Sequence, residues 1–262
     1  MIDLRSLKRI VVKVGTSTLT HETGKTNIKR MRELVRTLSD FSNAGLQTVL
    51  VTSGAIGMGA GKLGLAQKPK DTPTRQAAAC VGQCELMFLY DKFFQEYGKT
   101  IGQLLITKSD VENDERRGNL INAFDRMFAL GAIPIINEND SVAVEEIVYG
   151  DNDNLSAHVA KLVDAQLLII LTDTDGLFDK NPRTDPDARL IPVVDCINDE
   201  VFAMADGVGT ARGTGGMLTK LRAAKLAGEA GIPTIIMNGE NPEEMYKLME
   251  GRQTGTLFVA GK

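Results

Sequence analysis

The chain has 262 residues, of which 43% are hydrophobic and 24% charged, and its net charge of −4 corresponds to a pI near 5.4. This length and composition suit a folded domain with a large core. An acidic chain argues against a nucleic-acid binder, because phosphate contacts need a basic face. No apolar run approaches the ~18 residues that cross a bilayer. The N-terminus, MIDLRSLKRIVVKVG, lacks the pattern of a signal peptide. We therefore expect a cytoplasmic protein that binds neither nucleic acid nor membrane.

Strand-like and helix-like segments alternate along the chain. The predicted strands are Arg9–Val14, Gln47–Val51, Ile101–Ile106, Ile133–Ile136, Leu167–Leu171 and Thr234–Met237. The predicted helices run from the cap Asn27 to the stop Gly45, over about Pro73–Tyr97, and over Asn119–Leu130, Asn154–Leu162 and Leu218–Ala230. Apolar strands separated by helices predict an α/β fold with a mostly parallel central sheet covered by helices on both faces.

In such a sheet, ligands bind beyond the carboxyl ends of the strands. Residues of interest follow four of the predicted strands. They are Gly15, Ser53-Gly54, Asn137–Asp140 and Thr172-Asp173. From the residues alone, Thr172-Asp173 could position a nucleotide but more simply caps a turn. The polar stretch Asp173–Asp187 is either a hinge between two halves or a long surface loop.

The segment Ile135–Ala157 is the most informative part of the chain. Acid and amide side chains crowd two predicted loops, Asn137–Asp140 and Gly150–Asn154, each flanked by apolar sequence. Buried oxygens need partners, and a polar ligand with ammonium and carboxylate groups, with or without a metal nearby, would supply them. The segment therefore predicts a small-molecule site.

Two lysines point to phosphate. Lys13 interrupts an apolar strand just before Gly15, which favours a phosphate contact over a side chain that reaches water from an edge strand. Lys220 follows the glycine-rich turn Gly213–Gly216 at a predicted helix start, where backbone N–H groups can bind an anion. A flexible loop with a solvated lysine is the alternative for this second motif. Together the two lysines predict a clamp around a transferring phosphoryl group.

The common nucleotide-binding motifs are absent or misplaced. Gly24-Lys25-Thr26 and Gly98-Lys99-Thr100 lack the first glycine of a Walker A motif, and Gly59, Gly61 and Gly64 stand too far beyond the strand for a dinucleotide fold. Cys80 and Cys84, one helical turn apart in an apolar segment, are expected to be core thiols rather than a redox or metal pair.

Taken in order, the motifs resemble the amino acid kinase family, and within it most closely the glutamate 5-kinases. The resemblance covers nearly the whole chain. Its motifs are VVKVGTSTL at Val11–Leu19, VTSGAIGMG at Val51–Gly59, INENDSVA at Ile136–Ala143, GDNDNLSA at Gly150–Ala157, LTDTDGLFDKNPR at Leu171–Arg183 and GTGGMLTK at Gly213–Lys220. The third and fourth are specific to glutamate 5-kinases, whereas the lysine and glycine motifs belong to the wider family.

The resemblance implies transfer of the γ-phosphoryl group of ATP to the side-chain carboxylate of L-glutamate, the first step of proline biosynthesis. Lys13 and Lys220 would stabilise the phosphoryl charge, and Asp153 would orient them. The implied glutamate ligands are Ser53, Asp140 and Asn152, supported by Asn137 and Asp151. The implied ATP side consists of Lys13, Gly15, Thr172, Asp173, Thr214, Gly215, Gly216, Met217, Leu218, Thr219 and Lys220.

The resemblance also implies Mg²⁺ carried on the phosphates, with no protein ligand assigned. It implies a single kinase domain over 1–262, with a glutamate-binding half to about residue 172 and an ATP-binding half from about 173. Many members also carry a C-terminal PUA domain, and in this respect we expect the chain to depart from the family. Family members are typically homo-oligomers inhibited by proline, and the product could pass directly to glutamyl phosphate reductase. The alternatives are a different acceptor (acetylglutamate, aspartate, carbamate or a nucleoside monophosphate) and a non-catalytic sensor.

Overall fold

The computed structural model describes residues 2–21, 25–67, 69–142, 152–205 and 216–261. The strands are β1 (Arg9–Val14), β2 (Gln47–Val51), β3 (Ile101–Ile106), β4 (Ile133–Glu138), β5 (Leu167–Thr172), β6 (Val193–Val194), β7 (Thr234–Asn238) and β8 (Thr256–Phe258). The helices are α1 (Thr16–Leu19), α2 (Ile28–Asn43), α3 (Ala55–Lys62), α4 (Thr72–Gln95), α5 (Lys108–Glu112), α6 (Asp114–Ala129), α7 (Asn152–Leu162), α8 (Asp199–Ala205), α9 (Met217–Glu229) and α10 (Tyr246–Met249), with 3₁₀ turns at Leu4–Ser6 and Pro242–Met245.

The strands form one sheet in the order β3-β4-β2-β1-β5-β7-β8-β6. Every paired strand is parallel to its neighbour except β7 and β8, which are antiparallel. Alternate residues of β1 point to opposite faces, so Val11 joins the core that includes α7 and α9, whereas Ile10 and Val12 join the core that includes α2 and α4. The predicted α/β fold with helices on both faces is confirmed.

The six predicted strands are all present, and three extend beyond their predicted ends. β4 continues to Glu138, β5 to Thr172 and β7 to Asn238. Asn27 caps α2 by accepting a hydrogen bond from the Arg30 backbone N–H at 3.1 Å, and Gly45 ends the helix with a φ of 92°. α6 begins at Asp114, five residues before the predicted start, because the Asn113 side chain caps it through the Arg116 N–H.

Helix α3 was not predicted, because its segment contains three glycines. Close packing against α4 explains it. A Cβ placed on Gly59 would lie 1.8 Å from the Ala78 carbonyl oxygen, and one on Gly82 would lie 1.8 Å from that of Ala55. Glycine is therefore required at both positions, and the contact between the two helices outweighs the weak helix propensity of α3.

Two expectations concern the segment Asp173–Asp187 and a pair of cysteines. Between Thr172 and Val193 the chain forms no helix or strand, only an isolated bridge between Phe178 and Leu190, so Asp173–Asp187 belongs to a long loop. The expected core position of Cys80 and Cys84 is wrong, because both side chains are exposed on the outer face of α4.

None of the helices in the described ranges is long and apolar enough to cross a membrane.

Candidate active site

The polar residues selected from the sequence meet at the carboxyl ends of the central strands. Lys13 lies in β1, where its neighbours across the sheet are Val51 of β2 and Ile170 of β5. β1 is therefore a central strand, and the alternative in which Lys13 reaches water from an edge strand is wrong. Its side chain is 6% exposed and needs a partner of opposite charge.

That partner is Asp153 on α7, which also binds Lys220 on α9. Lys13 Nζ lies 2.5 Å from Asp153 Oδ1, and Lys220 Nζ lies 3.1 Å from Asp153 Oδ2. Thr219 donates its hydroxyl to Asp153 Oδ2 at 2.7 Å. The carboxylate is completely buried and Lys220 is 5% exposed. One carboxylate thus holds two ammonium groups that come from opposite ends of the sequence.

The surroundings keep Asp153 ionised. Burial by itself would raise the pKa of this carboxyl, but the ammonium groups of Lys13 and Lys220 outweigh it and hold the pKa well below its ordinary value. The three ionised groups leave a net positive charge at the ends of β1 and α9. This arrangement suits an anionic ligand with several oxygens, such as a polyphosphate.

A second cluster, of amides and a hydroxyl, lies next to the first. Asn152, which precedes Asp153 on α7, donates its Nδ2 to Ser53 Oγ and to Asn137 Oδ1, each at 2.8 Å. The same Nδ2 approaches the Thr52 carbonyl oxygen at 2.5 Å. Ser53 directly precedes α3, whose N-cap Gly54 has a φ of 105°. Asn152 therefore ties together the ends of β2 and β4.

The expectation that these polar residues occupy two loops is wrong in part. Asn137 and Glu138 are buried in the last positions of β4, and Asn152–Asn154 form the first turn of α7. Hydrogen bonds satisfy Asn137 there, so a polar residue is tolerated within the sheet. Asp140 lies two residues beyond β4 and is half-buried, at the same edge of the sheet.

Two of the described residues assigned to the nucleotide, Gly15 and Thr172, lie at the carboxyl ends of β1 and β5. A Cβ built on Gly15 would lie 3.5 Å from Lys13 Nζ, in ordinary van der Waals contact, so Gly15 directly adjoins the ammonium group. Thr172, the last residue of β5, donates its hydroxyl to Asp173 Oδ1 at 3.2 Å, and Arg183 pairs with Asp173 Oδ2 at 2.9 Å. This ion pair tethers the long loop to the end of β5.

The start of α9 carries further residues that were assigned to the nucleotide. Gly216 is the N-cap of α9 and has no side chain that could accept from the first N–H groups of the helix, and such groups are suited to binding an anion. Leu218 is half-buried in the first turn, whereas Met217 is buried. Met217 also borders a small cleft beneath the long loop, lined by Thr174, Gly176, Leu177, Phe178, Lys180, Pro182 and Met204.

Three predicted site residues, Asp151, Thr214 and Gly215, lie outside the described residues. Sequence reasoning missed two others. Gln83 on α4 accepts a hydrogen bond from Asn137, and Tyr90 on the same helix forms a buried hydrogen bond of 2.8 Å with the Thr52 hydroxyl. A single glutamine within the apolar run AAACVGQCELMF was a signal that could have found Gln83.

Comparisons with known proteins show the family of the chain. The model of the amino acid kinase family matches residues 8–238. The glutamate 5-kinase of Clostridium perfringens is 50% identical, in a match that covers 99% of this chain and 98% of that protein. The glutamate 5-kinase of Clostridium tetani is 52% identical, over 99% and 97% of the two chains. That of Caldanaerobacter subterraneus is also 52% identical, over 97% of this chain and 68% of that protein.

Solved structures share the fold at low identity. An isopentenyl phosphate kinase of T. acidophilum superposes with a TM-score of 0.66 at 19% identity, over 96% of this chain and all of the other. The UMP kinase of Bacillus anthracis superposes with a TM-score of 0.66 at 16% identity, over 98% and 97%. From these matches, the chain belongs to the amino acid kinase family and, within it, to the glutamate 5-kinases.

Proposed function

We propose that the chain transfers the γ-phosphoryl group of ATP to the side-chain carboxylate of L-glutamate, giving γ-glutamyl phosphate and ADP at the first step of proline biosynthesis. The observation that carries the proposal is the buried Lys13–Asp153–Lys220 cluster beside the amide cluster of Asn152, Asn137 and Ser53. One cluster suits the phosphates and the other a zwitterionic acceptor. The names of relatives about 50% identical over their whole length support the same reaction.

The reaction needs no general base. A glutamate carboxylate is already ionised at neutral pH, so its oxygen attacks the γ-phosphorus directly. The bond from that phosphorus to the β,γ-bridging oxygen breaks, and ADP leaves with the electron pair. Asp153 could not serve as a base in any case, because both of its oxygens hold lysines and its pKa is lowered.

The two lysines act on charge. In the transition state negative charge spreads over the transferred phosphoryl oxygens and the leaving oxygen. Lys13 and Lys220 are held in place before the substrate arrives, so stabilising that charge requires little reorganisation. Asp153 and Thr219 position the ammonium groups, and the first N–H groups of α9, together with Thr214 and Gly215, bind phosphate oxygens.

Glutamate occupies the amide cluster. The Asn152 NH₂ group faces protein acceptors, so its oxygen remains to accept from the substrate ammonium group. Asp140 provides a second, charged acceptor, with Asp151 in support. Ser53 and the first N–H groups of α3 suit the α-carboxylate. On this arrangement, residues to about 172 bind glutamate, and those from about 173 bind most of ATP in the same domain.

Mg²⁺ enters with ATP. The described ranges contain no group of three or more His, Cys, Asp or Glu side chains that could hold a metal. We propose an ion bound mainly by phosphates and water, as Mg²⁺ commonly is. When bound, it neutralises charge on the phosphate oxygens.

Trapping the product tests the function. The chain is incubated with MgATP, hydroxylamine and L-glutamate, and we expect ADP together with the hydroxamate of the acyl phosphate. N-acetylglutamate and aspartate serve as matched acceptors and should give little. Hydroxamate from N-acetylglutamate in preference to glutamate, or ATP binding without turnover, would overturn the proposal.

The outer face of α4 supports a homo-oligomer. Ala77, Cys80, Cys84 and Phe88 are exposed on one stripe of this helix, and Phe88 is 60% exposed. A helix that is apolar towards both the core and the solvent is expected to be covered by another surface. Light scattering should give a mass above one chain, and Phe88→Glu should lower it. Leu130→Glu, at another exposed apolar residue, should leave the mass unchanged.

Regulation and product transfer follow from the same chemistry. Proline carries the same α-carboxylate and an ammonium group, so it would compete at the glutamate pocket and raise the KM for glutamate but not for ATP.

An acyl phosphate hydrolyses readily, which favours direct transfer to glutamyl phosphate reductase in the cytoplasm. When the reductase is present during the kinase reaction, the yield of the reductase product should exceed the yield obtained when the two reactions are run one after the other. An equal yield would argue against direct transfer.

A further inference from the structure

Four side-chain amides form a continuous chain of hydrogen bonds that leads away from the amide cluster. Asn152 donates to Asn137 at 2.8 Å, Asn137 Nδ2 donates to Gln83 Oε1 at 2.9 Å, and Gln83 Nε2 donates to Gln103 Oε1 at 3.1 Å. The residues come from α7, β4, α4 and β3. Gln103 is exposed, whereas Asn137 is 3% and Gln83 is 9% exposed.

Two backbone groups fix the direction of the chain. The Thr52 carbonyl can only accept, so Asn152 must present its NH₂ group to it. The Glu138 N–H can only donate, so Asn137 must present Oδ1, at 2.9 Å. Asn137 Nδ2 therefore faces α4, where Gln83 Oε1 is its acceptor. The orientation follows from donor and acceptor chemistry and requires no knowledge of hydrogen positions.

Gln83 holds the buried end of Asn137. Without an acceptor there, the Asn137 NH₂ group would be buried and unpaired, at a cost of about 1–3 kcal/mol. Asn137 would then turn towards another acceptor and release Asn152, whose amide also holds Ser53. The lysine cluster has no hydrogen bond to this chain among the described residues, so the effect would fall on the acceptor pocket.

We propose that Gln83 is a positioning residue that sets the orientation of Asn152 through Asn137 and thereby determines the affinity for the acceptor. This inference rests on the proposed function, because it takes Asn152 and Ser53 as the acceptor contacts. Gln83 touches no substrate itself, and its action is transmitted through one buried hydrogen bond.

Gln83→Met tests the proposal, since methionine has similar length but accepts no strong hydrogen bond. We expect the KM for glutamate to rise about three- to tenfold, the worth of one hydrogen bond, and the KM for ATP to stay within about twofold. Gln83→Glu keeps an acceptor for Asn137 and should restore most of the glutamate affinity. Gln103→Met is the matched control, because it breaks only the outer bond, and should resemble the parent chain.

A second measurement separates this proposal from the proposed function. In NMR spectra, the side-chain NH₂ resonances of Asn152 should shift in Gln83→Met and stay in place in Gln103→Met, whether or not glutamate is the acceptor. If Gln83→Met does not fold, Gln83→Asn, one methylene shorter, replaces it with the same expectations. Unchanged Asn152 resonances, or equal rises in the KM for glutamate and ATP, would overturn the positioning role.

Discussion

At the scale of single residues, Asp153 organises the site. It is fully buried, and its two oxygens bring together a lysine from β1 and a lysine from α9. Unpaired, any of these three charges would be strongly destabilising in the core. In the cluster each of the three charges is paired, and the net positive charge that remains can attract a phosphate group.

Lys220 should matter more in the transition state than in the ground state. We expect Lys220→Ala to lower kcat by about a hundred- to a thousandfold, the usual effect of removing one group that stabilises developing charge, with a much smaller change in the KM for glutamate. Steady-state kinetics with both substrates measure this. Lys225→Ala, which removes an exposed lysine of the same helix, is the control. A loss confined to KM would contradict the assigned role.

Asp140 should act on substrate affinity instead. Its carboxylate is expected to pair with the ammonium group of glutamate, a charge-assisted contact made before and during transfer, so Asp140→Ala should raise the KM for glutamate about tenfold or more. The KM for ATP should change little. Asp125→Ala, at an exposed carboxylate of α6, provides a baseline. If the glutamate KM of Asp140→Ala equals that baseline, Asp140 does not belong to the pocket.

At the scale of elements, the contact between α3 and α4 supports the amide cluster. α3 starts just after Ser53, and α4 carries Gln83 and Tyr90 on its inner face. The glycines bring the two helices to backbone contact. Part of the site that we assign to glutamate is thus supported by a closely packed helix pair.

Gly82→Ala should separate this pair. The added Cβ would lie 1.8 Å from the Ala55 carbonyl oxygen, so the backbone must move. We therefore expect the free energy of unfolding to fall by at least about 1–3 kcal/mol. Gly57→Ala in α3 meets no atom within 4 Å and should be stabilising by about 0.5–1 kcal/mol. Urea unfolding measures both. Equal effects of the two substitutions would show that the close contact is unimportant.

At the scale of the whole molecule, the sheet joins two halves of the sequence. β3, β4, β2, β1 and β5 come from the first 172 residues, and β7, β8 and β6 continue the same sheet. The buried charges lie where the two sets meet, because Lys13 and Asp153 come from the first and Lys220 from the second. Their mutual attraction therefore contributes to the stability of the entire domain.

The contribution of Asp153 to the free energy of unfolding should be lost only in acid. Because the pKa of Asp153 is lowered by folding, its stabilisation is complete above the ordinary value of 3.8 and is lost as the pH falls below that value. Between pH 6 and 9 Asp153 should add no pH dependence. In Asp153→Asn, unfolding free energies should be lower at neutral pH, and the acid-dependent loss should be smaller than in the parent chain. An acid profile identical to that of the parent would refute this.

The sequence alone determined the strands, the class of fold and the family. Strand periodicity depends on local apolar runs, which is why β1 and β2 were predicted with correct bounds, and the family rests on motifs such as GDNDNLSA that need no coordinates. The sequence also selected Lys13, Asp153 and Lys220 individually. Helix α3 was not predicted from the sequence, because three glycines argue against a helix unless a neighbouring helix contacts them.

The sequence predicted the pairing of Lys13 and Lys220, and the family resemblance predicted their link to Asp153, but only the tertiary structure shows the contacts that join the three residues. Lys13 and Lys220 are 207 positions apart, and their shared partner is set by the order of strands in the sheet, which no local pattern encodes. The roles of Gln83 and Tyr90 depended on the same assembly. A buried amide or hydroxyl becomes informative once its hydrogen-bond partner is known, and that partner lies on another element of the fold.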